Sequence, residues 1–123
     1  MYIQTHINQN VFKTKVLQNP KEIALGMMSK KFNNNFEALL FIMDKKESLF
    51  WMKNCIIPLD VIFIQNGKIS KIYHNCSPCV TETCKTYNGK GDLVIEMLGG
   101  TCKRLNIKPK SRVYFELKSA IKK

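Results

Sequence analysis

The chain has 123 residues, 45% of them apolar, and its twenty Lys and Arg against nine Asp and Glu give a formal charge of +11. That length fits one domain, residues 1–123, able to bury roughly two-thirds of its unfolded surface, and the composition excludes a disordered tail. No segment approaches the run of about 18 apolar residues that a membrane helix needs. The start MYIQTHINQNVFKTK lacks the basic, apolar and small-residue succession of a secretory signal, so a cytoplasmic protein is expected.

The elements read in order as follows. Tyr2 to Ile7 and Val11 to Leu17 are β-compatible pieces. A helix follows: Asn19 suits its N-cap, Pro20 its first position and Glu22 its first turn, while Lys30 and Lys31 suit its C-terminal end. Its apolar stripe is Ile23, Ala24, Met27 and Met28, weakened by Gly26. After the break at Asn33 to Asn35, Ala38 to Met43 read as a buried strand, and a charged turn, Asp44 to Glu47, leads to Leu49 to Lys53.

The clearest local signal is a hairpin, with Val61 to Ile64 and Lys68 to Tyr73 joined by Asn66-Gly67. His74 to Gly91 lacks sustained periodicity and reads as a long loop, anchored over the sheet with Tyr87 as a candidate anchor. Asp92 to Leu98 returns to strand, Thr101 caps a short helix to about Asn106, Pro109 forces a turn, and Val113 to Leu117 closes the sheet. The fold class is mainly β with two short helices: a curled antiparallel or mixed sheet, in the limit a small barrel.

The eleven residues from Phe50 to Asp60, FWMKNCIIPLD, resemble the signature of DUF192, a family of unknown function. Leu25-Gly26-Met27-Met28, Leu40-Phe41, Val94-Ile95-Glu96 and Gly99-Gly100 are similar to its helix, following strand, late strand and turn, so the resemblance covers about residues 11–117. Cys55 stands where Thr is usual, and Lys110-Ser111 where Gly-Asp is usual. Pro78-Cys79 and Cys84 resemble a cysteine pair of some members, whereas Cys76 is an addition. The resemblance implies a fold and a pocket, with no settled activity, cofactor or substrate.

In an extended strip Trp51 and Lys53 share one face, and Phe50, Met52 and Asn54 the other. Asp60 shares a face with Ile62 and Ile64, and Glu96 with Val94 and Leu98, so ionisable groups sit among apolar neighbours. One reading is a ligand pocket with Trp51 as a flat wall and Lys53, Asn54, Asp60 and Glu96 as polar contacts. The structural reading places Trp51 in the core, with Asn54 and Asp60 bonding turn backbone and Lys53 pairing with a carboxylate. An enzyme, hydrolase-like or other, using Asp60, Glu96 and Lys53 is the catalytic alternative.

Three states are open to the cysteines. Cys76, Cys79, Cys84 and Cys102 with His74 supply enough donors for tetrahedral zinc, the one cofactor the sequence suggests, although only part of the spacing matches a zinc site. Cys79 and Cys84 as a disulfide, or all as free thiols, are the others. Cys55 beside Lys53 reads as a buried residue more than as a nucleophile.

The leading functional reading is a small ligand-binding or accessory domain. A polyanion- or nucleic-acid-binding module is the remaining alternative, drawn from charge alone. Attraction to nucleic acid follows from +11, but Arg, the better reader of bases and phosphates, occurs only at Arg104 and Arg112.

Overall fold

The structure is a computed structural model that describes residues 1–117. Nine strands and two short helices occupy them: β1 (Tyr2–Ile7), β2 (Asn10–Leu17), α1 (Pro20–Leu25), β3 (Ala38–Ile42), β4 (Glu47–Trp51), β5 (Leu59–Gln65), β6 (Lys68–Cys76), β7 (Thr86–Lys90), β8 (Leu93–Leu98), α2 (Thr101–Arg104) and β9 (Val113–Leu117). Seven strands form one mixed sheet in the order β6-β5-β8-β3-β2-β1-β9, while β4 and β7 form a separate two-stranded arm. Only β2 and β3 run parallel; the other pairs are antiparallel.

The large sheet curls into a half-barrel. Its two edges meet at the start of β6, where Ile69 N–H donates to the Ser111 carbonyl, Lys110 N–H to Ile69 and Val113 N–H to Gly67. The Asn66-Gly67 turn takes positive φ at both residues, 54° and 73°, as a tight hairpin requires. Period-two alternation then sorts the side chains. Ile3, Ile7, Phe12, Val16, Leu40, Ile62, Ile64, Ile95 and Met97 fill the inside of the curl, together with Cys102 and Ile107 from α2 and the chain after it. Inside this core the hydroxyls of Thr5 and Thr14 satisfy each other at 2.6 Å.

The other face of the sheet carries Leu39, Phe41, Val61, Phe63 and Val94, a second apolar cluster that must also be covered. Two segments cover it. The first is the connection between the parallel strands β2 and β3, which includes α1 and adds Met27 and Phe36 to the cluster. The second is the β4–β7 arm, which adds Tyr87 and half-buried Phe50. Phe50 stands edge-on to both Phe41 and Phe63, with ring centroids 4.9 and 5.9 Å away.

The fold differs from the sequence reading in three places. α1 has its expected cap, Asn19 Oδ1 accepting from Glu22 N–H at 2.9 Å, but stops at Leu25. Gly26 there takes φ 46°, and Met27 turns into the core instead of continuing a helix to Lys31. The segment from His74 to Gly91 is not one loop: β6 runs on to Cys76 and Thr86–Lys90 forms β7. β7 pairs Tyr87 with Phe50 and Thr86 with Trp51. Finally, Thr101 is the first residue of α2 and not its cap, which is Gly100; the Thr101 hydroxyl donates to the Leu98 carbonyl.

Gly89 sets how closely the arm approaches the sheet, because a Cβ there would lie 2.4–2.6 Å from ring atoms of Phe63. Gly89→Ala is therefore expected to destabilise the protein by about 1–3 kcal/mol through overpacking. Urea unfolding checks this; an unchanged midpoint would mean that the arm does not seat on Phe63.

Candidate functional site

The signature strip after β4 is held from both sides. Ser29 N–H donates to the Asn54 carbonyl, while Cys79 N–H donates to Met52 and Asn54 N–H to Cys79. Asn54 takes φ 58°, a conformation that Asn tolerates, and this turns the chain towards β5. Met52 and Cys55 are thereby buried, whereas Trp51 remains 47% exposed.

A cleft of about 170 Å3 opens beside this strip. One wall is the segment Ile23 to Met28, with Gly26 against Phe41. The opposite wall is Met43 with Leu49, Phe50 and Trp51, and the strip contributes Lys53 and Cys55. The sheet contributes Phe41 and Glu96.

Glu96 is the one acidic group of this cleft. It is 4% exposed, and among the described residues no side chain or backbone donor bonds its carboxyl and no cation pairs with it. Burial pushes its pKa up to about 8. The titratable groups on elements packed around it are Cys55, Cys76, Tyr87 and Lys53. The Lys53 ammonium is committed elsewhere, donating to the Thr81 carbonyl at 2.7 Å. Burial, and secondarily the Glu96 charge, raises the Cys55 thiol to about 11, so it stays protonated and poorly nucleophilic.

Asp60 and Glu96 do not meet. Asp60 pairs with Met97 and Glu96 with Val61 across β5 and β8, and this one-residue offset places them on opposite faces of the sheet. Asp60 is fully buried on the inner side. Its Oδ1 accepts from Asn75 N–H at 2.8 Å and Gly100 N–H at 3.1 Å, and its Oδ2 from Cys102 N–H at 2.8 Å. These bonds hold the start of α2 against the inner core. Of the residues expected to line one pocket, the structure brings together Trp51, Lys53 and Glu96. Asn54 is exposed on the turn beyond, and Asp60 lies behind the sheet.

The thiols and imidazole considered for zinc are dispersed. Cys79 and Cys84 form a disulfide, and Cys55, Cys76 and Cys102 are free and buried. Cys76 lies in the outer core and Cys102 in the inner one, with His74 exposed. Among the described residues no group of three or more His, Cys, Asp or Glu is gathered to hold a metal ion. Among the described residues, no helix is long and apolar enough to cross a membrane. The Met-rich wall, and Leu49 and Phe50 beside Trp51 on the wall opposite, were the parts of the cleft that sequence reasoning missed. Their only signal was the Met27-Met28 stripe, which reads equally as core.

Fold and cleft together define a class: a small mixed-sheet half-barrel whose outer face is roofed by a crossover and a two-stranded arm. The sequence pattern of DUF192, described as "Uncharacterized ACR", matches residues 2–115, and the chain belongs to that family. Among solved structures it is similar to a protein of unknown function from Novosphingobium aromaticivorans, at 28% identity and a TM-score of 0.79 over 92% of this chain and 84% of that one. It is also similar in fold, with a TM-score of 0.80 at 23% identity over 94% of each chain, to a Sinorhizobium meliloti protein proposed to be a transcription regulator. No curated protein matches the sequence.

Two outcomes follow from this geometry. Asp60→Ala strands three backbone donors, that of Cys102 buried and those of Asn75 and Gly100 part-buried, and is expected to cost about 3 kcal/mol or more, read by urea unfolding. A loss below about 1 kcal/mol would show that water replaces the carboxylate. Thiol titration of the non-reduced, denatured chain should find the three free cysteines, Cys55, Cys76 and Cys102, and two more after reduction. Five before reduction would exclude the disulfide.

Proposed function

We propose that this domain binds a small ligand in the cleft between the Ile23–Met28 wall and the β4–β7 arm, with Glu96 as its polar anchor. The supporting observation is the unpartnered carboxyl of Glu96, 4% exposed and lining the cleft. An apolar residue of similar size would avoid the desolvation penalty of about 1–3 kcal/mol that a buried polar group without a partner carries. A ligand that bonds the carboxyl removes that penalty on binding.

The surroundings support the same reading. Leu25, Leu49 and Trp51, respectively 46%, 64% and 47% exposed, all line the cleft, so apolar surface is left uncovered around a polar anchor. The volume of about 170 Å3 is below the range of about 300–1,000 Å3 usual for drug-sized ligands. It suits a ligand of a few heavy atoms or one end of a larger molecule. Charge alone supports the polyanion alternative, and the cations are spread over β2, both helices, β6, β7 and the turns.

Fragment soaking into crystals tests the reading: fragments should occupy the cleft within hydrogen-bond reach of Glu96, and occupancy only elsewhere would reject it. The stability of the empty protein should carry the same mark. The folded pKa of Glu96, about 8, lies above its ordinary value of 4.5. Its contribution to stability is therefore fully present below pH 4.5 and lost as pH rises towards 8, by up to about 5 kcal/mol. Glu96→Gln should remove that decline, and Glu96→Leu should be more stable than wild type at pH 8. Parallel pH profiles for wild type and Glu96→Gln in urea unfolding would show that the carboxyl is solvated or paired.

A further inference from the structure

We infer that the group received by this cleft is a primary ammonium on a short aliphatic stem, its charge paired with the Glu96 carboxylate. The inference rests on the ligand-binding reading and adds the chemistry of the ligand. Glu96 is the sole acidic side chain of the cleft, and among the described residues no donor or cation engages it. A bound ammonium supplies both the missing hydrogen bonds and the missing counter-charge, and the paired form is stronger than a neutral contact.

The walls fit the stem. Met27, Met43, Phe41 and Phe50 offer thioether and aromatic surface, against which methylenes pack and a cation is attracted. The cleft of about 170 Å3 accommodates a chain of a few carbons and excludes bulky cations that would need a wider cage. An anionic ligand would meet the Glu96 carboxylate, and the Lys53 ammonium that also lines the cleft is hydrogen-bonded to the Thr81 carbonyl and partly exposed, so it offsets that repulsion only weakly.

Lys53 itself bears on the cation. It lines the same cleft, so its charge opposes a second ammonium, weakly because it is partly exposed to solvent. Among the remaining titratable neighbours of Glu96, the Cys55 and Cys76 thiols are both raised to about 11 and Tyr87 is raised by burial, so they stay neutral near pH 7. Asp60 faces the opposite side of the sheet, and the Ile23–Met28 wall and β3 bring no titratable group to the cleft. Binding of the ammonium therefore converts the Glu96 acid to its carboxylate and releases close to one proton at pH 7.

Amide NMR titrations of the intact protein with butylammonium, butan-1-ol and butyrate test the inference. Butylammonium should saturate shifts in β8 and in the Ile23–Met28 wall, with affinity rising about tenfold from pH 6 to pH 7 and about fivefold from pH 7 to pH 8. Glu96→Gln should weaken it at least about tenfold at pH 8, and Lys53→Met should tighten it by about two- to fivefold. Nα-acetyl-lysine amide in parallel separates the two sources of such a group: tighter binding than butylammonium indicates a lysine side chain of a partner protein, and weaker binding a free amine. If butanol or butyrate binds the cleft as well as the ammonium, or if ammonium affinity does not rise with pH, the ammonium inference is overturned while the ligand-binding reading stands. If none of the probes shifts cleft resonances, both fail.

Discussion

One buried carboxylate organises both sides of the sheet. Asp60 sits in β5, between β6 and β8, and collects backbone N–H groups from the end of β6 and from the turn into α2. α2 has only four residues and no side-chain cap of its own, so the carboxylate serves as its N-terminal partner from forty residues away. Because side chains alternate, holding Asp60 inward also holds its neighbour Val61 outward. Val61 is the register partner of Glu96. A slip of one residue would exchange the two faces and bring Glu96 into the inner core. The inner anchor thus fixes the outer cleft.

The two acidic residues that sequence inspection groups together have opposite relations to stability. Asp60 is surrounded by donors and Glu96, among the described residues, is bonded by none. A carboxylate bonded by backbone N–H groups has its desolvation offset in the empty protein, whereas the Glu96 carboxyl leaves that offset to an incoming partner. Sites of this kind are where a protein departs from local consistency, and here the departure is confined to one side chain on an otherwise apolar surface.

Much of the architecture was legible in the sequence. The Asn66-Gly67 turn fixed a hairpin because few residues accept positive φ, and the alternation in β5 and β8 assigned Asp60 and Glu96 to their local faces correctly. What the alternation could not supply was the pairing between the strands, and only the Asp60–Met97 and Val61–Glu96 register shows that those faces are opposite. β7 was hidden because Asn88 and Gly89 carry little strand propensity; its order comes from pairing with β4 and from burial of Tyr87. The helix was overextended because Met27 and Met28 continue the helical spacing, yet Gly26 lets the chain leave the helix and deliver Met27 to the core. Trp51 and Lys53 were correctly seen as neighbours, while the Met-rich wall facing them belongs to a segment more than twenty residues earlier.

The parallel pairing of β2 and β3 has a consequence for how such a cleft can vary. Antiparallel neighbours can be joined by a turn, but parallel ones oblige the chain to travel back across a face of the sheet. In this molecule the return path, residues 18–37, supplies one cleft wall through Ile23 to Met28. Its length and side chains are therefore free of the ladder geometry that constrains the strands. Substitutions or insertions along that path can reshape the binding surface while the hydrogen-bonded frame, including the residue at the cleft base, stays in register. The topology separates a hydrogen-bonded frame from an adjustable lining within a single short chain.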